Sequence, residues 1–257
     1  MKVSNPKPNN VLAGYVQRIL VIEDVEVSKP FTLPLFPNGA PTLLFLSAGG
    51  ALDTSPTGNL TLFGQTVFPR TLTIRDRFTL IAYFFSPTAL NALFGVPANE
   101  LTDRPLELNL LEPKVTMGLK ERLLNADSTP VMLSLLDNYI FRLITRSRVV
   151  SDLVIHAAEK IASCTSGESL AIAQKDLYLT ERTLQRQFRN AIGVAPNLYR
   201  RICQFNAAFQ QLNTRRFARL SDIAYENGYA DQSHYIRVFK EFTNTTPKDY
   251  LKWAYGT

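Results

Sequence analysis

A chain that holds the same supersecondary unit twice can fold only in ways that let two copies sit in tandem, and the C-terminal part of this sequence carries such a duplication. Displaced by 51 residues, Ile172 falls on Ile223, Ala173 on Ala224, Tyr178 on Tyr229, Arg186 on Arg237, Phe188 on Phe239, Pro196 on Pro247 and Tyr199 on Tyr250. Similar residues fill the register between them. Leu184 meets Tyr235, and Arg189 meets Lys240. Thr180 meets Asp231, two side chains suited to accept hydrogen bonds at a helix N-terminus. Gly193 meets Asn244, the residue types that most readily take the left-handed conformation that stops a helix.

Each unit reads as helix, tight turn, helix. In the second, Ser221 is expected to cap a short helix through Ile223, Ala224 and Tyr225, which Gly228 ends. Asp231 then caps a helix running to about Phe242, whose inward face is Tyr235, Val238, Phe239 and Phe242 at spacings of three and four. The opposite face carries Gln232, Ser233, His234, Arg237 and Lys240. In the first unit Ile172 and Ala173 belong to the leading helix, and Thr180 caps a helix with Leu184, Phe188 and Ala191 inside. Arg182, Gln185, Arg186 and Arg189 lie outside. Small Ala173 and Ala224 stand where the two helices of a helix-turn-helix must approach closely.

These outer faces match the chemistry of duplex DNA. The major groove admits one helix, and its base edges are read by Arg on guanine and by Asn or Gln on adenine. Between the units, Pro196 opens a helical pattern through Tyr199, Ile202, Phe205, Ala208, Phe209 and Leu212. A helix of about 17 residues spans roughly 25 Å. Such a strut could set two recognition helices about one DNA turn apart, near 34 Å, in successive major grooves. Arg200, Arg201, Arg215, Arg216 and Arg219 lie along or just past it, and with Thr180, Arg189, Lys240 and Lys248 they form the phosphate-contact set, which would position the protein without reading bases. Charge agrees: of the net +6, residues 148–257 hold 15 Lys and Arg against 10 Asp and Glu, whereas residues 1–147 hold 13 against 12.

The runs LTERTLQRQF from Leu179 to Phe188, GVAPNLY from Gly193 to Tyr199, and IAYENGYADQSHYIRVFKEF with TTPKDY from Ile223 to Tyr250 closely resemble the DNA-binding domain of the AraC/XylS family of bacterial transcription regulators. The resemblance covers about residues 150–253. Carried over by position, it implies base reading by Arg182, Gln185 and Arg186 in the first helix and by Gln232, Ser233, His234 and Arg237 in the second. Two departures stand out. Gln204 occupies a place where the family often has Arg, and Thr243-Asn244 replaces the usual aromatic-Gly pair.

Residues 1 to about 110 are rich in β-branched and aromatic residues broken by Pro, Gly and Asn. Strands are expected at Tyr15–Val25, Thr42–Ser47, Leu60–Phe68 and Arg77–Phe85, a short helix at Ala89–Phe94, and helices at about Pro113–Leu124 and Pro130–Thr145. The last has a broad apolar face of Leu133, Leu136, Tyr139, Ile140 and Leu143, to pack on the sheet or on a second copy of itself. With its ALNALFGVP and ELTDRPLEL runs, this part resembles the N-terminal domain of one AraC-like branch. That implies a cupin-like barrel for effector binding, dimerisation, or both. The expected class is therefore α+β: a cupin-like, mostly β effector or dimerisation domain over 1–147, and an all-α DNA-binding domain over 148–257 made of two helix-turn-helix units on a long linker helix.

The partners implied are double-stranded DNA, a small-molecule or protein effector, RNA polymerase and a second copy of the chain. No cofactor or metal is expected. No segment reaches the roughly 20 apolar residues of a membrane span, and the N-terminus lacks a signal-peptide core, so a cytoplasmic chain is expected. Cys164 and Cys203 read as buried free thiols. Two rivals remain. A non-specific architectural binder would share the basic charge. An enzyme would need an uncharacterised N-terminal catalytic site, and residues 1–147 contain neither His nor Cys, which removes histidine-ligated metal and cysteine chemistry from that part. His156, beside apolar residues on an expected helix, reads as structural, and His234 as a base or phosphate contact.

Overall fold

Apolar strands whose successive side chains point to opposite faces build the N-terminal part. The structure, a computed structural model, describes residues 1–25, 29–111, 113–163 and 180–256. Its strands are β1 (Lys2–Ser4), β2 (Val16–Asp24), β3 (Phe31–Leu35), β4 (Thr42–Leu46), β5 (Gly50–Leu52), β6 (Ser55–Thr57), β7 (Leu60–Phe63), β8 (Arg70–Ile74), β9 (Phe78–Phe85) and β10 (Leu106–Glu107). They form a six-stranded antiparallel sheet in the order β1-β2-β9-β4-β7-β10 and a four-stranded one in the order β3-β8-β5-β6. On β2, β4 and β9 successive residues enter different cores. Ile19, Val21, Leu43, Phe45, Ile81, Tyr83 and Phe85 face one, while Ile22, Leu44, Leu46, Leu80 and Ala82 face the other, shared with Leu72 and Ile74 of the smaller sheet. These central strands are thus covered on both faces, and a slip of one residue would exchange the two sets.

Helices α1 (Pro113–Leu124) and α2 (Thr129–Thr145) cover the outer face of the larger sheet. The apolar stripe of α2 packs there through Leu136, Tyr139, Ile140 and Leu143, the first of the two expected uses. Tyr83 on β9 donates from its hydroxyl to Asp137 on α2 at 2.6 Å. Before them, the short helix expected at Ala89–Phe94 is present as a π-helical turn, Leu90–Phe94, ending at Gly95 (φ +67°). The strands not expected from sequence are short or carry Pro. Pro34 and Pro56 lie on β3 and β6, the two edges of the smaller sheet, where a missing N–H costs no ladder bond.

The C-terminal helices are α3 (Asp152–Ser163), α4 (Glu181–Ile192), α5 (Pro196–Asn213), α6 (Leu220–Glu226), α7 (Gln232–Thr243) and α8 (Pro247–Tyr255). Val154, Ala157 and Ile161 of α3 join Leu184, Phe188 and Ile192 of α4 in one core. Ile223 and Ala224 of α6 join Tyr235, Val238, Phe239 and Phe242 of α7 in a second, and α5 spans both through Tyr199, Ile202, Phe205, Ala208 and Leu212. His156 is exposed on α3 and fills no core position, contrary to its structural reading. Ile172, Ala173, Tyr178 and Cys164 lie outside the described residues.

Candidate nucleic-acid interface

The two candidate recognition helices start and stop by the same chemistry at equivalent positions. The Thr180 hydroxyl accepts from the Thr183 N–H at the head of α4, and Asp231 accepts from the His234 N–H at 2.7 Å at the head of α7. Gly193 (φ +103°) and Asn244 (φ +60°) stop them in the left-handed conformation, their N–H groups bonding the carbonyls of Arg189 and Lys240. Pro196 and Pro247 then open α5 and α8 at the first helical position. The short helix α6 departs from expectation. Its N-cap is Arg219 rather than Ser221, because Asp222 in the first turn reaches back to accept from the Arg219 N–H at 2.7 Å.

On α4, Arg182, Arg186 and Arg189 are exposed and Gln185 is half-buried. On α7, Gln232, Ser233, Arg237 and Lys240 are exposed. His234 is half-buried, its Nδ1 accepting from the Ala230 N–H at 3.4 Å and its ring set edge-on to Tyr229. An Nδ1 engaged as acceptor leaves Nε2 as the proton-bearing nitrogen, a donor aimed away from that bond. The phosphate set is less uniform. Thr180, Arg215, Arg216, Arg219 and Lys248 are exposed, with the Arg215 guanidinium 4.5 Å from the centre of the Tyr255 ring. Arg201 is instead paired with Glu241 of α7 at 2.6 Å, and Arg200 donates to Gln204 at 3.4 Å and to Asn197 at 3.5 Å. Both lie half-buried; Arg201 ties α5 to α7, whereas these Arg200 bonds stay within α5.

Gln204 explains its own departure from the family pattern. It is buried, and its amide donates to the Asn227 carbonyl at 2.9 Å, the group left over at the C-terminus of α6. Asn227 in turn donates to Gln211 at 2.7 Å, and Gln211 to Glu226 at 2.6 Å. One side of α5 thus carries a chain of amides that fixes the turn ahead of α7.

A second feature was not read from the sequence. Where the two sheets open toward α5, a cleft of about 210 Å³ is walled by Leu20, Leu33, Leu44, Leu80 and Phe84 and floored by Asn206, Phe209 and Gln210 of the helix. Arg18 stands at its rim with the guanidinium 4.1 Å from the centre of the Phe84 ring, partly stripped of water, which lowers its pKa. The hint in the sequence is Arg18 itself, the one cation of β2. The loop Phe36–Gly39 docks beside it on α5: Phe36 packs edge-on to Phe209, and the Asn206 amide donates to the Asn38 carbonyl at 3.5 Å.

Comparison with known proteins agrees with this arrangement. Residues 174–252 match the profile of a helix-turn-helix domain family, and residues 4–107 match a domain family of unknown function. The HTH-type transcriptional activator RhaS of Escherichia coli is 34% identical over 71 residues, 28% of this chain and 25% of that protein. The C-terminal part is thus similar to helix-turn-helix transcription regulators. That similarity spans about a quarter of the length of the curated relative. The fold is similar to that of ToxT from Vibrio cholerae, 16% identical, with 95% of this chain and 100% of that one covered at a TM-score of 0.52. A second ToxT structure, with an unsaturated fatty acid bound, is 15% identical and covers 98% and 99% at 0.50.

Proposed function

We propose that this chain is a regulator of the AraC/XylS type, a sequence-specific DNA-binding protein that reads two successive major grooves with α4 and α7. The observation that carries this reading is the equivalence of the two helices: same cap position, same left-handed stop, and Arg186 and Arg237 exposed at matching places. Base reading falls to Arg182, Gln185 and Arg186 on α4 and to Gln232, Ser233, His234 and Arg237 on α7. Phosphate contact falls to Thr180, Arg189, Arg200, Arg215, Arg216, Lys240 and Lys248, and to Arg201 once it leaves Glu241. Because α5 has 18 residues, about 27 Å of rigid helix, it sets the spacing of the heads near one DNA turn.

DNA fragments selected by the purified protein from its own genome provide the test. A gel-shift competition should show preference over random DNA of roughly 4–10 kcal/mol, and Arg186→Ala and Arg237→Ala should each cost about 1–3 kcal/mol in different halves of the site. Equal affinity for selected and random DNA would make the protein an architectural binder.

We assign residues 1–147 to a cupin-like effector domain and 148–257 to the DNA-binding domain, working in the cytoplasm with its DNA. The cleft beneath Arg18 suits an elongated apolar molecule with one acidic group, and the fatty acid bound by ToxT has that chemistry. Such an effector would touch α5 directly and so act on the strut between the heads. A thermal shift with an unsaturated fatty acid that Arg18→Gln abolishes supports this, and no shift would leave the domain to dimerisation. Pairing with a second copy and contact with RNA polymerase complete the proposal, checked by sedimentation and by transcription with purified polymerase.

A further inference from the structure

The two recognition helices share one stop chemistry but not one surrounding, and the difference falls on a single hydroxyl of the N-terminal part. The carbonyl of Gly193, at the end of α4, accepts from the Thr102 hydroxyl at 2.8 Å. Around it α4 packs on the turns Leu90–Phe94 and Ala98–Glu100. The approach is close enough that a Cβ at Gly193 would stand 2.9 Å from the Thr102 oxygen and 3.0 Å from the Ala98 carbonyl oxygen. At the matching place in the second head Asn244 is exposed and tolerates its side chain in the same left-handed conformation. Helix stopping alone therefore permits Asn, and the close approach of Thr102 and Ala98 is what requires Gly at 193.

Thr102 is itself held. Its neighbour Asp103 sits at φ +53°, uncommon for a residue with a side chain, and its carboxylate accepts from the N–H groups of Val67 at 2.7 Å and Phe68 at 3.2 Å. The Asp103 N–H donates to the Gln65 carbonyl at 2.9 Å, and Arg70 donates to the Asp103 carbonyl at 3.3 Å. A loop tied at four points presents one hydroxyl to one helix end. The contact lies at the C-terminal end of α4, whereas Arg182 and Arg186 project from its first half and remain exposed.

We propose that Thr102 is a positioning residue for DNA reading: from the N-terminal part it fixes the pose of the first recognition helix and leaves the second free of that grip. The two halves of the DNA site are then read by heads of unequal rigidity, and any change in the N-terminal part reaches the first head first. This rests on the reading of α4 and α7 as recognition helices, so the test has one arm that needs no DNA.

In the full-length protein, Thr102→Val keeps the shape and removes the donor, while Gly193→Asn keeps the helix stop and blocks the approach. Hydrogen exchange should quicken in α4 in both variants, with α7 unchanged. On selected DNA fragments, affinity should fall about five- to tenfold, the ratio set by one lost hydrogen bond. Base preference should relax only in the half assigned by Arg186→Ala. Asn244→Gly, the reciprocal change, should alter neither α4 exchange nor that half. Unchanged exchange in α4, or equal quickening in α4 and α7, overturns the proposal whatever the DNA result. Quickened α4 exchange with Arg186→Ala and Arg237→Ala both silent on DNA would uphold the grip and remove the reading of these helices as DNA-contacting.

Discussion

Replacing Gln204 with Leu isolates what one buried amide contributes to the second reading head. The side chain is 4% exposed and donates at 2.9 Å to the carbonyl of Asn227, itself 7% exposed. Leu is close to Gln in volume, so the cavity left behind is small, and the loss is mainly that of a hydrogen bond whose acceptor then stays dry. A buried group left unsatisfied costs about 1–3 kcal/mol. Arg200, which donates to the Gln204 carbonyl oxygen, can turn toward solvent and adds little. Urea denaturation followed by the fluorescence of Trp253, the one tryptophan, on α8 beside Tyr250, reads the second head directly. A loss below about 0.5 kcal/mol, the range of an ordinary surface change, would refute the view that this amide fixes the turn before α7. Gln204→Arg, the residue common in the family, should bring no gain, because it would place a second guanidinium against Arg200.

Asp231→Ala removes the cap of α7 and should cost about 1 kcal/mol in the same denaturation assay, with DNA affinity falling in one half of the site. Glu241→Gln frees Arg201 from its 2.6 Å ion pair, so the salt dependence of DNA binding should steepen while stability changes by under about 1 kcal/mol. Alkali should unfold the protein early. Burial pushes the Cys203 thiol from 9.0 to about 11, against a hydrogen bond with Tyr199 that lowers it, and burial likewise raises the Tyr199, Tyr229 and Tyr235 phenols. Between about pH 9 and 11 the unfolded chain loses protons that the folded chain keeps, so denaturation midpoints should be level below pH 9 and fall above it. A midpoint flat through pH 10.5 would count against buried, neutral groups at these positions.

What the sequence made legible was whatever depends on neighbours along the chain. Thr180, Asp231, Gly193 and Asn244 act within one helical turn, so their types and register announced both caps and both stops. The strands β2, β4 and β9 were legible as β-branched and aromatic runs broken by Pro, Gly and Asn, but their burial on both faces was not. The cap of α6 misled because an acidic residue reaching backward, Asp222, outdid the nearer serine. Strands such as β5 and β10, three and two residues long, owe their existence to the partner that pairs them and leave no pattern of their own. The cleft at Arg18 and the Thr102 contact join residues more than 90 positions apart, which no spacing rule can expose.

The seat of Gly39 on α5 bears on how such a chain could be re-engineered. Its φ of +76° is a backbone conformation that residues with side chains rarely adopt, and it turns the loop against Tyr199 and Ile202, while Phe36 beside it completes the aromatic cluster of Phe209 and Tyr250. A chimaera cut at residue 148 would carry the strut but abandon the loop that shields it, exposing phenylalanine and tyrosine rings to water. Exchange of N-terminal parts between relatives therefore has to transplant residues 36–39 with the C-terminal segment, or refit α5 to its new lodger.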